Sequence, residues 1–271
     1  MSHLKNTNPL LVIIIGLYIS LVSLWILIHF FNINIPIELF ANTYWILAFI
    51  GAIAGLWSAR LWGYFGSSIG KSISFFSLGL LLQVFGQLTY SFYIYVLHAD
   101  TPYPSIGDLG FFGSVLLYIY GIWIIADTVG LRRAFRKMDL MHKFQVILVP
   151  LVIAILTLAF FLWGKHIALS SPLTSFLDFG YPIGQATYVT IAILAYMLSK
   201  KYLGGAMKNS ILITVFALFV QYVADAMFLY QNNNGTWVGG GFNDLLYLTA
   251  YFLLAYAFVT FSQVYDRVKS Q

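Results

Sequence analysis

The sequence predicts an all-α, polytopic membrane helical bundle with eight transmembrane helices, one integral membrane domain over residues 1–271. Three observations carry that reading. Hydrophobic residues make up 61% of the chain and charged ones only 8%, whereas a soluble domain is about 25% charged. Apolar runs of the ~20 residues needed to cross hydrocarbon recur along the whole length. Basic residues gather in alternate connections between those runs. Together these exclude a cytosolic enzyme, a nucleic-acid-binding domain and a disordered chain.

The runs cover about 9–31, 41–62, 73–97, 108–129, 144–164, 178–199, 209–230 and 244–264, leaving short tails at 1–8 and 265–271. The first exceeds a signal-peptide core and lacks a small-x-small cleavage site, so it reads as a retained signal-anchor helix. Each later run is bounded by turn chemistry or charge: residues 32–36, 102–104, 170–172 and 232–241. A β-barrel would instead show short alternating segments.

Of the fourteen Lys and Arg residues, all but Lys165 fall on one side of this layout. Lys5 precedes the first span; Arg60 and Lys71 flank the second connection. Arg132, Arg133, Arg136, Lys137 and Lys143 fill the fourth, Lys200, Lys201 and Lys208 the sixth, and Arg267 and Lys269 follow the eighth span. The positive-inside rule then places both termini in the cytoplasm and the protein in the cell membrane. The net charge of +5 follows topology and does not form a nucleic-acid patch. The basic loop 132–143 reads either as an ordinary topology determinant touching anionic lipid or as the docking face of a cytoplasmic partner.

Three connections end in a similar pattern: a small residue, two more, Asp, two more, then an aromatic. The copies are Ser105 to Asp108 and Phe111, Ser175 to Asp178 and Tyr181, and Gly241 to Asp244 and Tyr247. Each opens an even-numbered span, which suggests three related helical hairpins (spans 3–4, 5–6 and 7–8) beside an added pair, spans 1–2. Ser-x-x-Asp is also a capping box, and that alone accounts for the spacing. Alternatively, or in addition, the three carboxylates rim one outward-facing cavity.

Polar groups at membrane depth are costly and default to functional candidates. Gln83 and Gln87, and again Gln221 and Asp225, lie four apart on one helix face. Gln185 follows Asp178 by two turns, and no Lys or Arg stands near enough in sequence to pair with Asp225. Interhelical hydrogen bonding explains the glutamines; a shared pocket explains their common depth. Tyr90, Tyr181, Tyr188 and Tyr222 offer hydroxyls beside apolar faces. The candidate ligand-binding set is therefore Gln87, Tyr90, Asp108, Asp178, Tyr181, Gln185, Gln221, Asp225, Trp237 and Asp244, with the glycine-rich connection 231–241 either a loose surface loop or a lid plugged by Trp237. Asp127 precedes Arg132 and Arg133 and reads as half of a local ion pair.

Catalytic signatures are missing: no GxSxG, Walker A or HExxH, and no Cys. His166, Ser175 and Asp178 form a loose grouping along the sequence, which defines no triad. His29, His98 and His166 show no metal-ligand spacing. No catalytic residue, metal site or cofactor is assigned.

Gly86-Gln87-Leu88-Thr89-Tyr90 and then Pro102-Tyr103-Pro104-Ser105-Ile106-Gly107-Asp108 resemble the multi-helix membrane sensor regions that precede GGDEF diguanylate cyclase domains in bacteria. Asp178-Phe179-Gly180-Tyr181-Pro182-Ile183-Gly184 is similar to their "D-x-x-YP-x-G" segment, and Ala224-Asp225 and Asp244-Leu245-Leu246 to their last two helices. The resemblance spans roughly residues 75–265 and implies a sensory module for a small ligand on the outer side. No GGDEF, EAL or kinase segment follows the eighth span, so the expectation is a stand-alone module signalling through a separate partner or as a homodimer. Gln185 stands where such regions often carry Asp. A small-molecule permease is the second reading, and an intramembrane enzyme acting on lipid, through Asp225 and the outer carboxylates, the third.

Overall fold

A computed structural model describes residues 8–31, 34–99, 101–162, 171–199 and 206–270, and among them the chain is helical throughout, with no strand. The helices are α1 (Pro9–Phe30), α2 (Ile37–Ala41), α3 (Trp45–Leu61), α4 (Ser68–Ser91), α5 (Ile106–Thr128), α6 (Leu131–Lys137), α7 (Leu140–Leu162), α8 (Pro172–Ser199), α9 (Lys208–Asn233) and α10 (Phe242–Lys269). The end of α4 runs on into a π-helical turn, Phe92–Val96.

Local chemistry sets several starts. Asn8 accepts from Leu10 N (3.0 Å) ahead of Pro9 in the first turn of α1. Ser67 Oγ accepts from Gly70 N (2.9 Å) at α4. Ser105 and Asp108 form a complete capping box at α5.

Seven helical segments among the described residues are long and apolar enough to cross a membrane, with α2 and α3 counted together as Ile37–Leu61. The chain has the make-up of a multi-pass helical membrane protein. Of the eight expected spans, the sixth is not among the seven. Its helix, α8, runs 28 residues, but Thr174, Ser175, Asp178, Tyr181, Gln185 and Thr187 dilute its apolar surface.

Six helices close a ring in the order α3, α4, α5, α8, α9, α10 and back to α3. α1 lies outside against α10 and α3, and α7 outside against α8 and α9. Both outer helices are correspondingly little buried. The pairs α4–α5, α7–α8 and α9–α10 each pack together, yet they are not equivalent: α3, not α7, completes the ring.

Backbones approach most closely between α4 and α5. A Cβ at Gly110 would lie 2.4 Å from the Leu82 carbonyl oxygen and 2.9 Å from Gly86 N. Only glycine fits there. One half of the ring is filled solidly by Ile73, Phe76, Tyr118, Ile122, Phe258 and Phe261, all buried.

Every described Lys and Arg sits at that filled end of the ring or on α6 beyond it. Arg60 lies over Trp57, Lys71 over Tyr120 and Arg132 over Trp123, long cations resting on interfacial aromatics. The Asp127–Arg132 pair forms at 2.9 Å, with both partners exposed. Lys5, Asp100, Lys165, His166, Lys200 and Lys201 lie outside the described residues.

One expectation about helix starts is overturned. Ser175 does not cap α8, and Asp178 is not in its first turn. The helix begins at Pro172, where Ser171 Oγ accepts from Thr174 N (3.1 Å). Ser-Pro supplies both the cap and a φ already suited to the first helical position, so it starts the helix ahead of the Ser175 signal. Asp108 and Asp244 do lie in first turns.

Candidate functional site

At the end of the ring opposite the described Lys and Arg residues is a cavity of about 390 Å³. Four carboxylates line it, one each from α5, α8, α9 and α10: Asp108, Asp178, Asp225 and Asp244. The α5 and α8 copies of the repeated pattern turn the same helical face inward. Asp108, Phe111 and Val115 line the cavity from α5, and Asp178, Tyr181 and Gln185 from α8; α10 adds Asp244 and Tyr247. The i, i+3, i+7 spacing is one stripe of an α-helix, so a single pattern builds much of the wall. The cap role and the cavity role coexist at Asp108 and Asp244, while Asp178 serves no cap.

Tyrosine hydroxyls serve all four acids. Tyr181 donates to Asp108 Oδ1 (2.8 Å), tying α8 to α5. Tyr103 donates to Asp178 Oδ1 (2.9 Å), and Tyr44 donates a longer bond to Asp244 Oδ1 (3.4 Å). Asp225 receives Tyr188 (2.8 Å), Tyr247 (2.9 Å) and Gln221 Nε2 (3.1 Å). Backbone amides add Ser105 N to Asp108 Oδ2 (2.7 Å) and Gly240 N to Asp244 Oδ2 (2.6 Å). Burial first, then the Asp178 hydrogen bond and charge, hold the Tyr103 hydroxyl well above the ordinary tyrosine range. It therefore keeps its proton and remains a donor.

Of the ten residues singled out from sequence, nine line this one cavity: Gln87, Tyr90, Asp108, Asp178, Tyr181, Gln185, Asp225, Trp237 and Asp244. Gln221 does not. It lies one turn from Asp225 on α9, is 0% exposed, and reaches the site only through its bond to Asp225. Gln83 joins α4 to α5 and α10 by donating to Ser114 Oγ (2.7 Å) and accepting from Tyr251 (3.3 Å). Tyr222 faces away, bonded to Thr157 on α7 (2.6 Å). Gln185 is 4% exposed and has no hydrogen-bond partner among the described residues.

Sequence reasoning missed Tyr44, Tyr103, Phe111, Phe228 and Tyr247. Tyr247 and Phe111 were findable, since each stands three residues after its Asp as Tyr181 does. Tyr44 and Tyr103 come from connections, and no periodicity points to them.

Trp237 packs edge-on against Phe228 at 5.8 Å between ring centroids. The connection that carries it is held at its far end: Gly240 O accepts from Trp25 Nε1 (3.0 Å), and Gly240 takes φ +80° against Ile37. Exposed Tyr95, Tyr103 and Asn232 border the mouth. Three comparisons, with protein-family models, with curated proteins and with solved structures, find no match to this chain.

Proposed function

We propose that the protein is a membrane-embedded ligand-binding module of the sensory kind that its sequence resembles. The cavity faces outward, the basic end faces the cytoplasm, and α8 serves as an eighth span shielded by α5, α7 and α9. The observation that carries this reading is one cavity, built from five helices of a closed ring, over a solid floor. Its shape is that of a receptor pocket. A permease needs a route to the other face, and here Tyr118, Tyr188, Tyr251 and Phe258, all fully buried, occupy that route. Output would pass through a separate partner docking on the exposed basic face of α6, where Arg132, Arg133, Arg136 and Lys137 cluster, or through a homodimer.

Native mass spectrometry of the full chain released from membranes in mild detergent tests the pocket, paired with proteoliposome flux of whatever it retains. The expected result is a retained small molecule, lost in Asp225→Asn, with no flux above empty vesicles. Flux through the wild type would instead establish the permease.

A further inference from the structure

We infer that the ligand is a compact neutral molecule carrying an amide, a C=O and an N–H side by side, which pairs with the side-chain amide of Gln185 while its apolar body lies on the aromatic wall. The inference deepens the reading of the cavity as a ligand site and rests on it.

Gln185 is the deep polar group of the α8 wall. Seven residues at 1.5 Å each put it roughly 10 Å further along the helix than Asp178, which is bonded to Tyr103 at the mouth. Gln185 is 4% exposed and meets no partner among the described residues, whereas buried amides are ordinarily paired. It is not one of the described groups that lie both sealed and unpaired, so its amide opens on the cavity that it lines. Trp237 Nε1 and Gln221 Oε1 are sealed and out of a guest's reach. A Cβ at neighbouring Gly184 would lie 2.5 Å from Val115 Cγ1 on α5, a close approach that fixes the stretch of α8 carrying the amide.

The cavity's tyrosines are largely spent. Tyr44, Tyr103, Tyr181, Tyr188 and Tyr247 each commit their single hydroxyl proton to one of the four acids. Gln185 keeps an acceptor, Oε1, and two donors on Nε2. These two atoms lie side by side in one plane and set what can satisfy them. An ammonium reaches Oε1 and leaves the NH2 unmade. A carboxylate does the reverse. A hydroxyl meets only one of the two along a straight line. A carboxamide, lactam or urea meets both: its N–H donates to Oε1 while its C=O accepts from Nε2. Phe111, Val115, Phe228, Leu229 and the ring of Trp237 offer apolar surface to the rest of the molecule. The volume lies near the low end of small-molecule pockets, about 300–1,000 Å³, so the guest is compact.

Four probes of similar size separate the alternatives: 2-phenylacetamide, 1-phenylpropan-2-one, phenylacetate and phenethylamine. The ketone differs from the amide only by CH3 in place of NH2. Each is titrated calorimetrically into the purified full chain in a neutral detergent. The amide should bind at least about tenfold more tightly than any of the other three, a difference of ~1.4 kcal/mol. Gln185→Leu should weaken the amide about tenfold, to the level of the ketone, and leave the ketone unchanged. Gln185→Glu, which keeps the acceptor and loses the NH2, should shift the preference from the amide towards the amine. The wild-type comparison of the four probes stands even if a variant misfolds. Equal or tighter binding of the ketone, the acid or the amine overturns the amide while keeping the cavity a ligand site. Equal losses of amide and ketone in Gln185→Leu overturn Gln185 as the group that reads the guest. Binding of none at millimolar concentration also overturns the amide. A molecule without an amide retained in native mass spectrometry would then show that the ligand-site reading survives alone.

Discussion

Asp225 gathers three donors in the bundle interior, from Tyr188, Tyr247 and Gln221, while only 8% exposed. An unpaired buried polar group costs about 1–3 kcal/mol. Asp225→Leu strands all three and should lose roughly 3 kcal/mol or more, whereas Asp225→Asn keeps a carbonyl acceptor and should lose about 1 kcal/mol. Thermal unfolding in detergent measures the pair, and equal losses would mean that the donors find other acceptors. Asp225 was legible in the sequence because a lone carboxylate in an apolar run demands a partner. Of its partners, Tyr188 and Gln221 were singled out with it and Tyr247 was not. Tyr188 and Gln221 share helical spacing with residues already singled out, but Tyr44 and Tyr103 reach their acids only because two connections fold over the mouth.

At the scale of elements, the start of α8 decides what Asp178 does. With Ser171 capping, Ser171→Ala should cost about 0.5–2 kcal/mol and Ser175→Ala almost nothing; the reverse order would restore the capping box expected from spacing alone. Helix contacts give a second test. Gly110→Ala drives a methyl into the Leu82 carbonyl, which is backbone and cannot step aside, so α4 and α5 must part at a cost of about 1–3 kcal/mol. Gly16→Ala has nothing within 4 Å and should stay within about 1 kcal/mol of the parent. Circular-dichroism melts of the four variants suffice. The helices themselves were legible from apolar runs and turn residues. Their starts were less so, because two competing caps four residues apart look alike until one of them is followed by proline.

For the whole molecule, the ring puts the four cavity carboxylates and the described Lys and Arg residues at opposite ends, and that separation is what a topology experiment reads. Each of α4, α5, α8, α9 and α10 connects the filled basic half to the cavity half. If α8 crosses the bilayer with its neighbours, the crossings number eight, and α1 and α10 leave both termini beside the basic residues. The polar stripe of α8 does not forbid this, since Asp178, Tyr181 and Gln185 face the cavity instead of lipid and need no hydrocarbon solvation. Order around the ring was invisible in the sequence: spacing shows which stripe of a helix is polar but not which helix lies beside it, so the exclusion of α7 could not be foreseen. The chain contains no cysteine, so single introduced thiols report cleanly. Thr236→Cys, in the connection beside the cavity, should react with a membrane-impermeant maleimide in intact cells. Lys137→Cys on α6 and Ser270→Cys after α10 should react only after permeabilisation. Labelling of Ser270→Cys from outside while Lys137→Cys stays protected would mean an odd number of crossings and a helix that lies within one leaflet. α8 would be the first suspect, and the outward cavity would lose one wall.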